Sequence, residues 1–258
     1  MKYLNVLTAH RAVARVFQRA VSMRRHYSLY WCVPIILALG CREPPLIQSI
    51  RKGDSAVANS LIAEGVEINK RDASGGTALH AAIEKGDKET YALLLDKGAD
   101  CNLCDRVGTS AVHLAAEQED VFWLRAALKY RGNPNQPNTG NTAYPNETPI
   151  YYAISKGRAG NVLELVKAGA DVNHVDGDDI THFYKCVEKR MYATALQLIE
   201  AGANPTPKPP ASSILGSSYF GKNYEKGVMA SRVKGELEQY RLLKAKLKEM
   251  GCLKEEVE

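Results

Sequence analysis

No apolar run in these 258 residues reaches the roughly 20 needed to cross a bilayer as a helix. The uncharged stretch Tyr27–Gly40 carries only the short apolar run Cys32–Gly40. Motifs that announce chemistry are missing too: there is no nucleophile elbow, P-loop, paired-carboxylate motif or metalloprotease helix. The chain is therefore not expected to be an enzyme, and no catalytic residue or cofactor is assigned. Acidic residues are absent from positions 1–40, which hold six basic ones. The remaining residues carry 28 basic and 29 acidic groups, so the formal charge of +5 belongs to the leader and the rest is close to neutral. A nucleic-acid-binding domain would carry its own basic patch, and no nucleic-acid partner is expected. Cys101 and Cys104 form C-x-x-C but lack the two further ligands a zinc site needs nearby, so no metal is assigned.

What is present is a period. Thr77, Leu79 and His80 return 33 residues later as Ser110, Val112 and His113, and Asn102 returns as Asn135. The pattern recurs after 38 residues at Thr148, Ile150 and Tyr151, and after another 33 at Thr181, Phe183 and Tyr184. Each unit reads as a turn, a short helix, a second helix and an exit loop. Gly75 and Gly108 permit the positive φ of the turn. Thr77, Ser110, Thr148 and Thr181 sit where a hydroxyl can cap the first helix. Leu79, Val112, Ile150 and Phe183 start an apolar stripe that the second helix continues, and Gly98, Gly169 and Gly202 end it. A pair with two apolar faces cannot bury them alone, so stacking supplies the core.

A period near 33 with T-x-L-H and G-A-D-x-N resembles the ankyrin repeat. The fold expected is all-α: a solenoid of about five repeats over 41–206, the first degenerate from Arg42 to Asn69. Residues 207–227, rich in Pro, Ser and Gly, read as a linker. Val228–Met250 carries apolar residues at Met229, Val233, Leu237, Tyr240, Leu243, Leu247 and Met250. That helical stripe fits a cap over the last repeat; a partner-binding helix is the other reading of 228–251. His80 and His113 are expected to hydrogen-bond between neighbouring loops rather than to catalyse. One of Phe122 and Trp123 is expected in the core.

The period breaks once, by five residues within Gln136–Glu147, where Pro, Gly and Asn mark a loop. Insertions in repeat folds fall on one face, often the binding face. The resemblance implies that hairpin tips and the exposed side of the first helices line a concave surface. Carried over position by position, the protein-binding residues are Arg106, Val107, Thr109, Glu117, Gln118, Tyr144, Glu147, Tyr152, Ser155 and Lys156. Tyr144, Arg106 and Val107 are expected to meet.

The leader has its own pattern. Met23-Arg24-Arg25 is a basic start, Cys32–Gly40 a secretory core, and Leu37-Ala-Leu-Gly-Cys41 is similar to the bacterial lipobox. That resemblance implies a signal segment over 1–40 and acylation of Cys41. Met1–Ser22 also has the composition of a mitochondrial transit peptide; a true start at Met23 is the alternative. Together the features resemble bacterial ankyrin-repeat lipoproteins, and more narrowly immunity proteins against type VI secretion lipases. The resemblance implies a lipid-anchored protein on the periplasmic side of a bacterial membrane, the outer one by analogy, with a secreted phospholipase as partner. A periplasmic scaffold with no toxin partner is the competing reading.

Overall fold

The computed structural model describes residues 43–139, 145–175, 181–205 and 235–252. Cys41 and the leader, Tyr144, the linker at 207–227 and the start of the last helix at Val228 lie outside them. Among the described residues eleven helices follow one another with no β-strand. Repeat one is α1 (Pro45–Lys52) and α2 (Ser55–Ala63); repeat two is α3 (Ala78–Lys85) and α4 (Lys88–Asp96). Repeat three is α5 (Ala111–Glu117) and α6 (Phe122–Lys129), and repeat four is α7 (Pro149–Ser155) and α8 (Ala159–Lys167). Repeat five is α9 (His182–Glu188) and α10 (Tyr192–Glu200), and α11 (Glu236–Glu249) follows. First helices stack on first helices and second on second, giving two layers, while α11 packs on α10. No described helix is long and apolar enough to cross a membrane.

Three of the four expected caps form, in two variants, and Thr148 is the exception. Thr77 and Ser110 each close a box with the histidine three residues on. The Thr77 N–H donates to His80 Nδ1 at 3.2 Å, which leaves the ring proton on Nε2; that nitrogen donates to the Thr109 carbonyl of the next repeat at 3.0 Å. The inter-loop role expected of His80 is the one observed. In repeats four and five tyrosine replaces this histidine. Thr181 still caps, accepting from Tyr184 N at 3.3 Å, whereas the Thr148 hydroxyl instead meets His182 Nε2 at 3.1 Å. The second helices α2 and α4 are capped by Asp54 and Asp87, which accept from Val57 N and Thr90 N.

The core is one continuous sheet of side chains between the repeats. Leu79, Leu94, Leu124, Ile150, Ile154, Leu165 and Leu198 are all fully buried. Trp123 is 4% exposed and packs edge-on against Tyr91, while its neighbour Phe122 is 37% exposed, which resolves the pair. At the C-terminal end Tyr240, Leu243 and Leu247 are buried and Tyr240 meets Tyr192 of α10 at 5.3 Å between centroids. The described part of the last helix is thus a cap on repeat five. Met250, placed in the apolar stripe from sequence, is instead 42% exposed, because the helix ends at Glu249 and Met250 lies past its last packed turn.

A polar ladder runs along one edge of the same stack. Asn102 accepts from Asn133 N at 2.7 Å and donates to the Arg131 carbonyl at 3.1 Å. Asn135 does the same with Asp171 N and Gly169 O, and Asn173 with Asn204 N and Gly202 O. One side chain in each exit loop therefore satisfies a donor and an acceptor of the following repeat. This is the reason for the asparagine in G-A-D-x-N; the sequence period locates it but not its partners.

Leu94 and Ile150 are both fully buried, so truncation loses transfer energy and leaves a cavity. Leu94→Ala and Ile150→Ala are each expected to lower unfolding free energy by about 2–4 kcal/mol. Urea melts read this directly, and a shift under about 0.5 kcal/mol, the range of ordinary surface changes, would mean that the side chain does not pack as described.

Candidate functional site

The hairpin tips are built by aspartates. Asp72 Oδ1 accepts from Ser74 N, Ser74 Oγ and Gly76 N at 2.7–2.9 Å, and its other oxygen takes Arg51 Nη2 at 2.7 Å. Burial opposes ionisation, but the bonds from Ser74, Arg51 and Gly76 outweigh it and hold this carboxyl at about 2. Asp105 repeats the turn, accepting from Val107 N and Thr109 N. Successive tips touch: Arg106 N donates to Ser74 O at 2.9 Å, and a β-carbon on Gly75 would lie 2.9 Å from that nitrogen. Gly75 also holds φ at 83°, so glycine is required there twice over.

The same turn explains the insertion. Asp105 N donates to the Thr109 carbonyl, and Thr109 N donates to the Asp105 side chain. One repeat later Asn138 N donates to the Glu147 carbonyl at 2.8 Å, and Glu147 N donates to Asn138 Oδ1 at 3.0 Å. Asn138 therefore stands for Asp105, and Glu147 for Thr109. The extra residues leave and re-enter at a pinched base, between 138 and 147, and α5 and α7 on either side still pack on each other. The base is buried: Asn138 is 2% and Glu147 7% exposed. Asn138 Nδ2 also donates to the Tyr152 hydroxyl at 3.1 Å, and the Tyr152 ring sits edge-on to His113 at 4.9 Å between centroids.

Of the residues assigned to binding, Arg106 and Val107 are exposed at a tip, Val107 at 48%. Lys156 is exposed on α7 and lies 3.8 Å from the half-buried Glu117 of α5; burial raises the Glu117 carboxyl despite that lysine. Two assignments are corrected by burial. Thr109 and Glu147 are each 7% exposed, because both close the base of a tip turn. Gln118 and Ser155 are half-buried and turn back on their own helices, to Leu114 O and Tyr152 O. Tyr152 supports the insertion from below. The expected meeting of Tyr144 with Arg106 and Val107 falls outside the described residues.

Sequence reasoning missed the supports of this face. Repeat three lacks the glycine that should end its first helix. The free carbonyls of α5 are met instead from repeat four: Asn161 Nδ2 donates to Ala116 O and Gln118 O, both at 2.8 Å, and Arg158 Nε to Glu117 O at 3.0 Å. Asn161 reads as a polar surface position until the neighbouring helix end is seen; it is fully buried. Arg131 and Arg190, found at glycine positions of the period, do adopt φ of 65° and 58°.

The thiols do not form a reactive pair. Cys101 is buried, with Sγ directed at the carbonyls of Ala127 and Tyr130, and burial pushes its pKa up to about 11. Cys104, raised by burial, accepts from Gln136 Nε2. Among the described residues no group of three His, Cys, Asp or Glu side chains is placed to hold a metal ion.

Two buried histidines set the acid response. Burial, partly offset by backbone groups of Glu147 and Gln136, lowers His113 to about 4. Burial, reinforced by His174 stacked on it at 5.9 Å, lowers His182 to about 3. Both are neutral in the fold, whereas an unfolded histidine titrates near about 6.5. Below that pH the unfolded chain binds protons that the folded chain does not. Their contribution is complete above about pH 6.5 and is lost as pH falls toward 4. Asp72, shifted the other way, keeps its contribution until pH falls below its ordinary range and toward 2. Unfolding free energy is expected to drop by about 2–4 kcal/mol between pH 7 and 5. Urea melts of the chain and of His182→Leu measure it, with a shallower pH slope expected in the variant.

A family model described as ankyrin repeats (three copies) matches residues 46–138 and again 93–176. Those spans together cover repeats one to four and just over half of the chain. No curated protein matches the chain. The stacked helix pairs are consistent with an all-α repeat solenoid of that kind. Ankyrin repeats are generally non-enzymatic modules for binding other proteins. This chain belongs to the ankyrin-repeat family.

Proposed function

We propose that this protein is a lipid-anchored ankyrin module on the periplasmic side of a bacterial membrane that binds and blocks a secreted phospholipase. The observation that carries the binding part is the tip face. Arg106 and Val107 are exposed at the tip that precedes an insertion whose base is pinned by Asn138, Glu147 and Tyr152, and Lys156 is exposed just past the far end of α7. A rigid base lowers the ordering cost of an inserted loop on binding, and an arginine beside an aliphatic residue suits an interface hot spot. The anchor rests on Leu37–Cys41 behind a basic start at Met23. A phospholipase delivered to the periplasm attacks membrane lipid, so an inhibitor tethered to that membrane meets it at its substrate. Occlusion of the lipid-facing surface by the tip face is the mechanism this arrangement supports.

Two measurements test the reading. Mass spectrometry of the membrane fraction is expected to give a mature chain that begins at an acylated Cys41; an intact Gly40–Cys41 bond in mature protein removes the anchor. Calorimetric titration against a purified phospholipase encoded beside this gene is expected to show stoichiometric binding and loss of lipid hydrolysis. Arg106→Ala with Lys156→Ala is expected to weaken that binding by about 2 kcal/mol while leaving the fold intact, since exposed positions tolerate substitution. Hydrolysis untouched by saturating protein would favour a periplasmic scaffold with a different partner.

A further inference from the structure

The two ends of the repeat stack are finished differently. An end repeat presents one face with no neighbour, and repeat proteins make that face polar to stay soluble. At the C-terminal end this is done by α11, in which seven of fourteen residues are charged and which buries Tyr240, Leu243 and Leu247 against the stack. At the N-terminal end no described element covers repeat one. Its second helix, α2, has the sequence Ser-Ala-Val-Ala-Asn-Ser-Leu-Ile-Ala and carries no charge at all.

The contacts show which edge of repeat one is open. In α2, Ala58 and Ile62 face the core, and Ser55 Oγ donates to Asp87 Oδ2 of repeat two at 3.2 Å. Val57 and Leu61, four residues apart, lie on the opposite edge. Val57 is 46% exposed, and Leu61 is half-buried, with part of its side chain packed against the core; Glu64 follows on the same edge. In α1, Arg51 turns to Asp72 of repeat two, which leaves Pro45, Gln48 and Lys52 as the exposed stripe away from it. The open end is therefore aliphatic at its centre, with one lysine and one glutamate beside it.

The covalent chain limits what can cover that end. Cys41 is followed by three residues before α1 starts at Pro45. Fully extended, that link spans about 14 Å, less than the thickness of two stacked helix layers at 8–10 Å each. A membrane anchor at Cys41 therefore holds the start of α1 within about 14 Å of the lipid.

We propose that the open end of repeat one is a membrane-contact surface, on which Val57 and Leu61 meet the boundary between headgroups and acyl chains. The proposal rests on acylation of Cys41 as read above. It gives the lipid anchor a second, weak apolar contact, and two signals hold a protein to a membrane more stably than one. The stack then rises from the bilayer by roughly 10 Å per repeat, and the tip face opens sideways, toward an enzyme working on the same surface.

The test uses the full chain, expressed with its leader. A photoreactive diazirine analogue of leucine is placed at position 57, or at position 107 as a control of equal exposure two repeats away. Membranes are irradiated, and lipid adducts and the Cys41 peptide are read by mass spectrometry from one sample. An acylated Cys41 with lipid adducts at 57 and none at 107 is the expected result. An acylated Cys41 with no lipid adduct at 57, or with position 57 joined to a second copy of the chain, overturns the contact surface and leaves the anchor standing. A Cys41 without acyl chains overturns both.

Discussion

No helix pair in this protein has a core of its own. Each is short, seven to nine residues per helix, and presents apolar side chains to both neighbours. Isolated helices of that length are not stable in water. Stability comes from burial between units, in which Leu94 or Ile150 is covered only when the adjacent pair is in place. The asparagine ladder adds direction to this adhesion. Asn102, Asn135 and Asn173 each hold a donor and an acceptor of the next loop, so units dock in one register rather than sliding.

A stack built that way tolerates irregularity only where it does not reach the interfaces between units. The five-residue insertion obeys this rule. It departs at Asn138 and returns at Glu147, the two positions that close a tip turn in the regular repeat, and the first helices on either side still pack on each other. The missing glycine after α5 is harder to accommodate, because it leaves carbonyls inside the stack. Asn161 and Arg158 of the following repeat supply the donors. At this junction polar side chains enter the interior where backbone groups would otherwise be left bare, which is costly.

Function follows from the same division. The layers that hold the stack together are fixed by packing, and the tips and first-helix edges are free to carry Arg106, Val107 and Lys156. The ends of the stack differ for a related reason: one is closed by a charged helix and the other lies a few residues from the proposed anchor. A surface carried on a rigid stack is the arrangement a module for binding other proteins requires.

The sequence by itself determined the fold. A period of 33 residues with T-x-L-H states that one helical pair is repeated, and apolar spacing within each copy states which sides are buried. Both are local signals, because side-chain periodicity depends only on helix geometry. The caps at Thr77, Ser110 and Thr181, the bridging role of His80 and the burial of one of Phe122 and Trp123 followed from it. What only the tertiary structure decided is which residues of the site still face outward. Thr109 and Glu147 carry the chemistry of a binding surface but are consumed in closing tip turns, and Asn161 has the look of a surface residue but serves a neighbouring helix end. Their partners lie from four to 45 residues away in the chain, so no local pattern encodes them. Hydrogen-bond satisfaction is a property of the packed neighbourhood, and it exists only after the repeats have stacked.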